Sequence, residues 1–166
     1  MSTNIASQPE TAAETLTPRL RMGSLAPESY RAMSALAATV ADFDRTVKYL
    51  VFMRVSQING CAYCIDMHSK DARLHGETEQ RLYGLNAWRE TPYYSPRERA
   101  ALALAEEMTN LPTSNVPDGV YEEAAGHFEP KELAQLIWTI TIINGWNRIA
   151  ITSRMVPGSY QPGGTH

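Results

Sequence analysis

Cys61, Cys64 and His68 carry the chemistry this chain can do, the two cysteines standing three residues apart and the histidine four beyond the second. On one α-helix that spacing puts all three side chains on a single face. The thiolate is the nucleophile, and a cysteine with its ordinary pKa of about 8.5 is mostly protonated at neutral pH. A helix starting at the motif would set its partial positive end beneath the thiols. His68 is placed to take the Cys64 proton or to hold a water that does, and Cys61 is close enough to form a disulfide with Cys64 after oxidation. The pattern predicts a two-thiol redox site. Two other readings use the same residues. Cys61, Cys64, His68 and His75 offer four zinc-type ligands, but all from one short helix, whereas structural zinc sites draw their halves from separated segments. The cysteines could also be small buried hydrophobes. His75, next to Gly76, reads more simply as a cation capping a helix C-terminus.

The elements that must position this motif are helical. Pro27 can open a first helix, in which Tyr30, Met33, Leu36, Ala37 and Val40 recur at helical spacing as far as Phe43. Asp44 is a candidate N-cap for a second, with Val47, Leu50, Val51, Val55 and Ile58 on its period, and Asn59-Gly60 is a stop signal. The cysteine helix follows and is closed by Gly76, so the motif lies on its first turns. Thr78 opens a fourth helix through Trp88. Ser95-Pro96-Arg97-Glu98 joins an N-cap serine, a first-turn proline and a reciprocal Glu, and predicts a fifth helix stopping before Pro112. A loop then leads to a short helix from Pro117-Asp118 to Gly126. The last helix runs from Glu129-Pro130 to Arg154, apolar on most faces, as either a central core helix or an oligomer contact. No hairpin-bounded alternation is present, and the fold class read here is all-α in a single domain over residues 25–156. Residues 1–24 read as a flexible arm and 157–166 as a C-terminal tail.

Composition limits the function classes. The 166 residues suit one core, burying about two-thirds of the surface of the unfolded chain. Fifteen basic residues are scattered and outnumbered by 18 acidic ones, for a net charge of −3, so no nucleic-acid partner is indicated. The first 20 residues have no basic-then-apolar leader and no apolar run reaches membrane-spanning length, so the expected setting is cytoplasmic, with no membrane partner. Two cysteines three apart cannot staple a fold.

The string Arg54-Val55-Ser56-Gln57-Ile58-Asn59-Gly60-Cys61-Ala62-Tyr63-Cys64-Ile65-Asp66-Met67-His68 resembles the signature of the AhpD-like alkylhydroperoxidases within the carboxymuconolactone decarboxylase family. The likeness continues through Ala87-Trp88-Arg89-Glu90, the block from Ser95 to Ala103, Ile143-Asn144-Gly145-Trp146-Asn147-Arg148 and Pro157-Gly158-Ser159-Tyr160, spanning about residues 25 to 162. CxxC alone says little; the combined string is specific. The resemblance implies an AhpD-like helical bundle forming homo-oligomers, with no metal, flavin or haem cofactor. It implies that Cys64 meets a small hydroperoxide substrate, that Cys61 resolves it, that His68 relays the proton, and that an external dithiol reductant resets the pair. One position departs: the family's better-characterised peroxidases carry a Glu twelve residues before the first cysteine, where this chain has Tyr49. A phenol is a poor base at neutral pH, and Glu106 and Glu107 are the candidate substitute carboxylates, beside the simpler reading of both as solvated charges. Two alternatives remain: decarboxylase-like chemistry on a small lactone, whose enzymes lack the cysteine pair, and a non-catalytic redox sensor or assembly protein.

Overall fold

The computed structural model describes residues 16–163, among which there is no strand. Helices follow in the order α1 (Met22–Leu25), α2 (Pro27–Ala38), α3 (Arg45–Asn59), α4 (Ala62–Leu74) and α5 (Glu79–Gly84). A 3₁₀ segment (Leu85–Glu90) is then succeeded by α6 (Pro96–Thr109), α7 (Leu111–Ser114), α8 (Asp118–His127) and α9 (Pro130–Ser153). The starts obey local chemistry. Asp44 accepts from the Val47 N–H at the head of α3, and Ser95 and Glu98 close a reciprocal capping box at the head of α6.

Helix α3 is the hub, packed on α4, α6 and α9. Its period explains how one helix serves two cores. Val47, Val51 and Val55 turn toward Leu104, Leu136, Ile140 and Ile143 of α6 and α9, while Leu50 and Met53 turn toward Leu82, Leu85, Trp88 and Leu102. Helix α9 is also a core element, with Leu136, Ile140, Ile142 and Ile143 fully buried. Trp138 and Ile151 on the same helix stay about half exposed, at 51% and 45%.

Several boundaries differ from the sequence reading. The first long helix ends at Ala38, and the chain reaches Phe43 by i→i+3 turns that rotate both Val40 and Phe43 into the core. Lys48 Nζ donates to the Ala41 carbonyl at 2.7 Å and so satisfies a group the broken helix leaves open. The expected fourth helix is divided: at Ala87 (φ −119°, ψ 33°) helical geometry lapses, which lets Leu85 and Trp88 both turn inward. A helical turn, α7, occupies part of the loop expected after Pro112. At the N-terminus, the Arg19 and Leu20 N–H groups both donate to the Ser153 carbonyl, and Met22–Leu25 forms a helical turn. Residues 1–15 of the expected arm, and the last three of the expected tail, lie outside the described residues. No helix of the described residues is long and apolar enough to cross a membrane.

Candidate functional site

Gly60 ends α3 in the left-handed conformation (φ 69°), where a side chain would be strained, and the chain then reverses into α4. Cys61 is the N-cap of α4, and its sulfur accepts the Cys64 N–H at 3.3 Å. The preceding turn is anchored from α9: Asn59 Nδ2 donates to Asn144 Oδ1 (3.0 Å) and Asn147 Oδ1 (2.9 Å), and Asn147 Nδ2 donates to Ser56 Oγ (3.1 Å). These groups are largely shielded from water, so each bond holds the turn against a desolvation cost of about 1–3 kcal/mol for an unmade one.

Cys61 and Cys64 are joined as a disulfide, with Cα atoms 5.3 Å apart. Both are nearly sealed, at 1% and 2% exposure. A cavity of about 580 Å³ opens beside them between α2, α3, α4 and α9. Cys64 and His68 border it and Cys61 does not; Tyr30, Phe52, Ile143 and Trp146 supply apolar wall. The cavity suits an apolar molecule that reaches one sulfur of the pair.

His68 lies one turn beyond Cys64, 6% exposed, its ring centroid 4.7 Å from that of Phe52. Its Nδ1 is buried with no hydrogen-bond partner. The facing acid is Asp71, whose Oδ2 stands 3.8 Å away, close enough for electrostatic attraction and too far for a hydrogen bond. Burial pulls the His68 pKa below its ordinary value of 6.5, and Asp71 opposes this without overcoming it. The imidazole is therefore neutral at pH 7 and can accept a proton. Burial pushes the Asp71 carboxyl upward, but the adjacent His68 and the Tyr160 hydroxyl outweigh it and hold the group below the usual carboxylate range.

Of the residues singled out from sequence, Cys61, Cys64 and His68 come together. Tyr49 does not join them directly: its ring stacks on His75 (5.2 Å, 15°) farther along α4, and Phe52, one turn on, is the α3 ring against His68. Burial, then the Asp71 charge, raises the Tyr49 pKa, so at neutral pH it is even less ionised than a free phenol. Glu106 does not face the imidazole. One oxygen accepts from Arg54 Nε at 2.7 Å and Trp88 Nε1 at 2.9 Å, and the other pairs with Arg89, an ion cluster joining α3, the 3₁₀ segment and α6. Among the described residues no hydrogen bond or ion pair joins the half-buried Glu107 to His68 or to a cysteine. The sequence reading missed Asp71, although its spacing of three from His68 on a helix was the available signal. His75 is the C-cap residue of α4, turned toward Tyr49 and Arg45, and among the described residues no three His, Cys, Asp or Glu side chains gather as metal ligands would.

Comparison with known proteins agrees with this architecture. Residues 27–107 match the model of the carboxymuconolactone decarboxylase family. The uncharacterised protein YdfG of Bacillus subtilis (strain 168) is 44% identical over 135 residues, 80% of this chain and 92% of that protein. A crystal structure from Agrobacterium tumefaciens, of a protein of unknown function described as a candidate antioxidant defence protein AhpD, superposes with a TM-score of 0.83 at 34% identity, covering 87% of this chain and all of that one. The debrominase Bmp8 shares the fold at 21% identity and a TM-score of 0.74, over 83% of this chain and 75% of its own. On these matches, in which nearly the full length of the two nearer relatives is covered, the chain belongs to the carboxymuconolactone decarboxylase family and to its AhpD-like group.

Proposed function

We propose that the protein is a thiol-dependent hydroperoxidase in which Cys64 is the peroxide-reactive thiol, Cys61 the resolving thiol and His68 the proton relay. The observation that carries this reading is that Cys64, alone of the bonded pair, borders the apolar cavity together with a neutral His68. In the reduced protein His68 takes the Cys64 proton. The thiolate attacks the terminal oxygen of a hydroperoxide, the O–O bond breaks, and the alkoxide leaves as the alcohol with the proton from His68. The product is a Cys64 sulfenic acid. Cys61 sulfur attacks it, water departs, and the disulfide present in the structure is formed. Two electrons have passed from the thiols to the peroxide, and an external dithiol returns them. The N-cap position of Cys61 favours its thiolate, which suits it as the group displaced when a dithiol attacks Cys64 from the cavity.

Turnover tests the reading. With excess dithiothreitol, the protein should consume many equivalents of cumene hydroperoxide per chain, faster than the reductant alone. Consumption limited to one equivalent would reject the peroxidase and leave a redox sensor.

We also propose that the protein assembles as a homo-oligomer. Trp138 and Ile151 leave large apolar side chains open on a helix whose Leu133, Leu136, Ile140, Ile142 and Ile143 are core, and burial against a symmetry mate would remove them from water. Light scattering at micromolar concentration should give a mass above one chain; a monodisperse monomer would contradict it.

A further inference from the structure

The C-terminal segment after α9 crosses back over the cysteine helix and is fastened to it at three places. The Gly158 N–H donates to Asp66 Oδ2 at 3.0 Å, Lys70 Nζ donates to the Tyr160 carbonyl at 3.1 Å, and the Tyr160 hydroxyl donates to Asp71 Oδ1 at 2.6 Å. Lys70 also pairs with Asp66, so the first two contacts share one ion pair. The third reaches the carboxylate that faces His68. Asp71 thus stands between a phenol at 2.6 Å on one oxygen and a buried, unpartnered imidazole nitrogen at 3.8 Å from the other.

That arrangement is unbalanced. A nearly sealed nitrogen with no partner carries a cost that a shift of about 1 Å by Asp71 would relieve, since N–H···O bonds lie near 2.9 Å. The Tyr160 hydroxyl holds the carboxylate back and draws on its charge. We propose that Asp71 is the positioning residue of His68, doing the work that a carboxylate at position 49 would otherwise do, and that Tyr160 restrains it, so that the C-terminal segment sets the basicity and orientation of the imidazole.

Other titratable groups lie near Asp71 and His68. Asp71 feels His75 on its own helix and Lys48 and Tyr49 on α3, as well as Tyr160. Around His68, α3 presents the uncharged Phe52, α9 presents Ile143 and Trp146, and α2 presents Arg31 at the cavity wall. Asp71 is therefore the one carboxylate acting on the imidazole among the described residues.

The role of Asp71 rests on the proposed peroxidase reading, but its test does not. Histidine ring NMR titration reports the His68 pKa directly, with the His68 signal identified by its loss in His68→Gln. Asp71→Asn removes the charge that props the pKa up, and the value should fall below that of the parent. Tyr160→Phe frees the carboxylate to close on Nδ1, and the value should rise. Asp71→Glu should restore part of the parent value. In reduced protein, Asp71→Asn should also slow the reaction of Cys64 with cumene hydroperoxide by about tenfold to a hundredfold, the range seen when a carboxylate orienting a metal-bound imidazole is lost. Opposite shifts in the two variants support the proposal, and a purely structural role would not produce them. A shift of the same sign in both, or none in either, overturns it. If Asp71→Asn fails to fold, Tyr160→Phe decides alone: a raised His68 pKa supports the proposal and an unchanged or lowered one overturns it. The expected NMR shifts in a protein without peroxide turnover would reject the peroxidase and keep the Asp71–His68 coupling.

Discussion

Cys64→Ser is expected to leave the protein with no reaction toward organic hydroperoxides, and Cys61→Ser is expected to react once per chain and stop. The asymmetry follows from access. Both sulfurs are nearly sealed, but only Cys64 borders the cavity, while Cys61 is the N-cap of α4 and does not line it. A serine hydroxyl at position 64 would hold its proton at neutral pH and could not replace the thiolate. With Cys61 changed, the Cys64 sulfenic acid has no neighbouring thiol, and it should persist or oxidise further. Intact mass after one equivalent of cumene hydroperoxide reads both cases: Cys61→Ser should gain one oxygen atom, and Cys64→Ser none. Oxygen gained by Cys64→Ser would reverse the assignment of roles.

The second large effect lies away from the chemistry. Glu106→Gln should destabilise the fold by about 3 kcal/mol, the scale of removing one partner of a shielded ion pair, because the largely buried Arg54 loses its counter-ion; the half-exposed Arg89 adds little. Burial pushes the Glu106 carboxyl up, yet the hydrogen bonds from Trp88, Arg89 and Arg54 outweigh it and hold its pKa below the ordinary value. A carboxylate depressed in the folded state contributes stability above its unfolded pKa of about 4.3, and loses it as the pH falls through the lower folded value. The parent should therefore lose more stability than Glu106→Gln on acidification below about pH 4. Urea midpoints at pH 7 and in that acid range check both statements. The His68 pKa should not move. If it did, Glu106 would act on the relay after all.

Local chemistry made much of this molecule legible. The caps at Asp44 and Ser95, the left-handed Gly60 (φ 69°) and Gly76 (φ 92°), and the shared face of Cys61, Cys64 and His68 depend on residues within about two turns of one another. Misread features depend on distant partners. The end of the first long helix is decided by Val40 and Phe43 turning into a core built largely by α3, α6 and α9. Asp71 sits where a helix-surface charge would; its spacing of three from His68 was a local hint, but its partner Tyr160 comes 89 residues later. Glu106 was readable as a carboxylate of interest, but its partners Arg54 and Arg89 come from two other elements, and spacing along α6 cannot reveal them.

Thiol counting tests the central claim most directly. The reduced protein should show two titratable thiols per chain in denaturant. After one equivalent of cumene hydroperoxide it should show none, with one equivalent of cumyl alcohol released and one intramolecular disulfide between Cys61 and Cys64. Two thiols remaining, or their loss without release of the alcohol, would contradict the account.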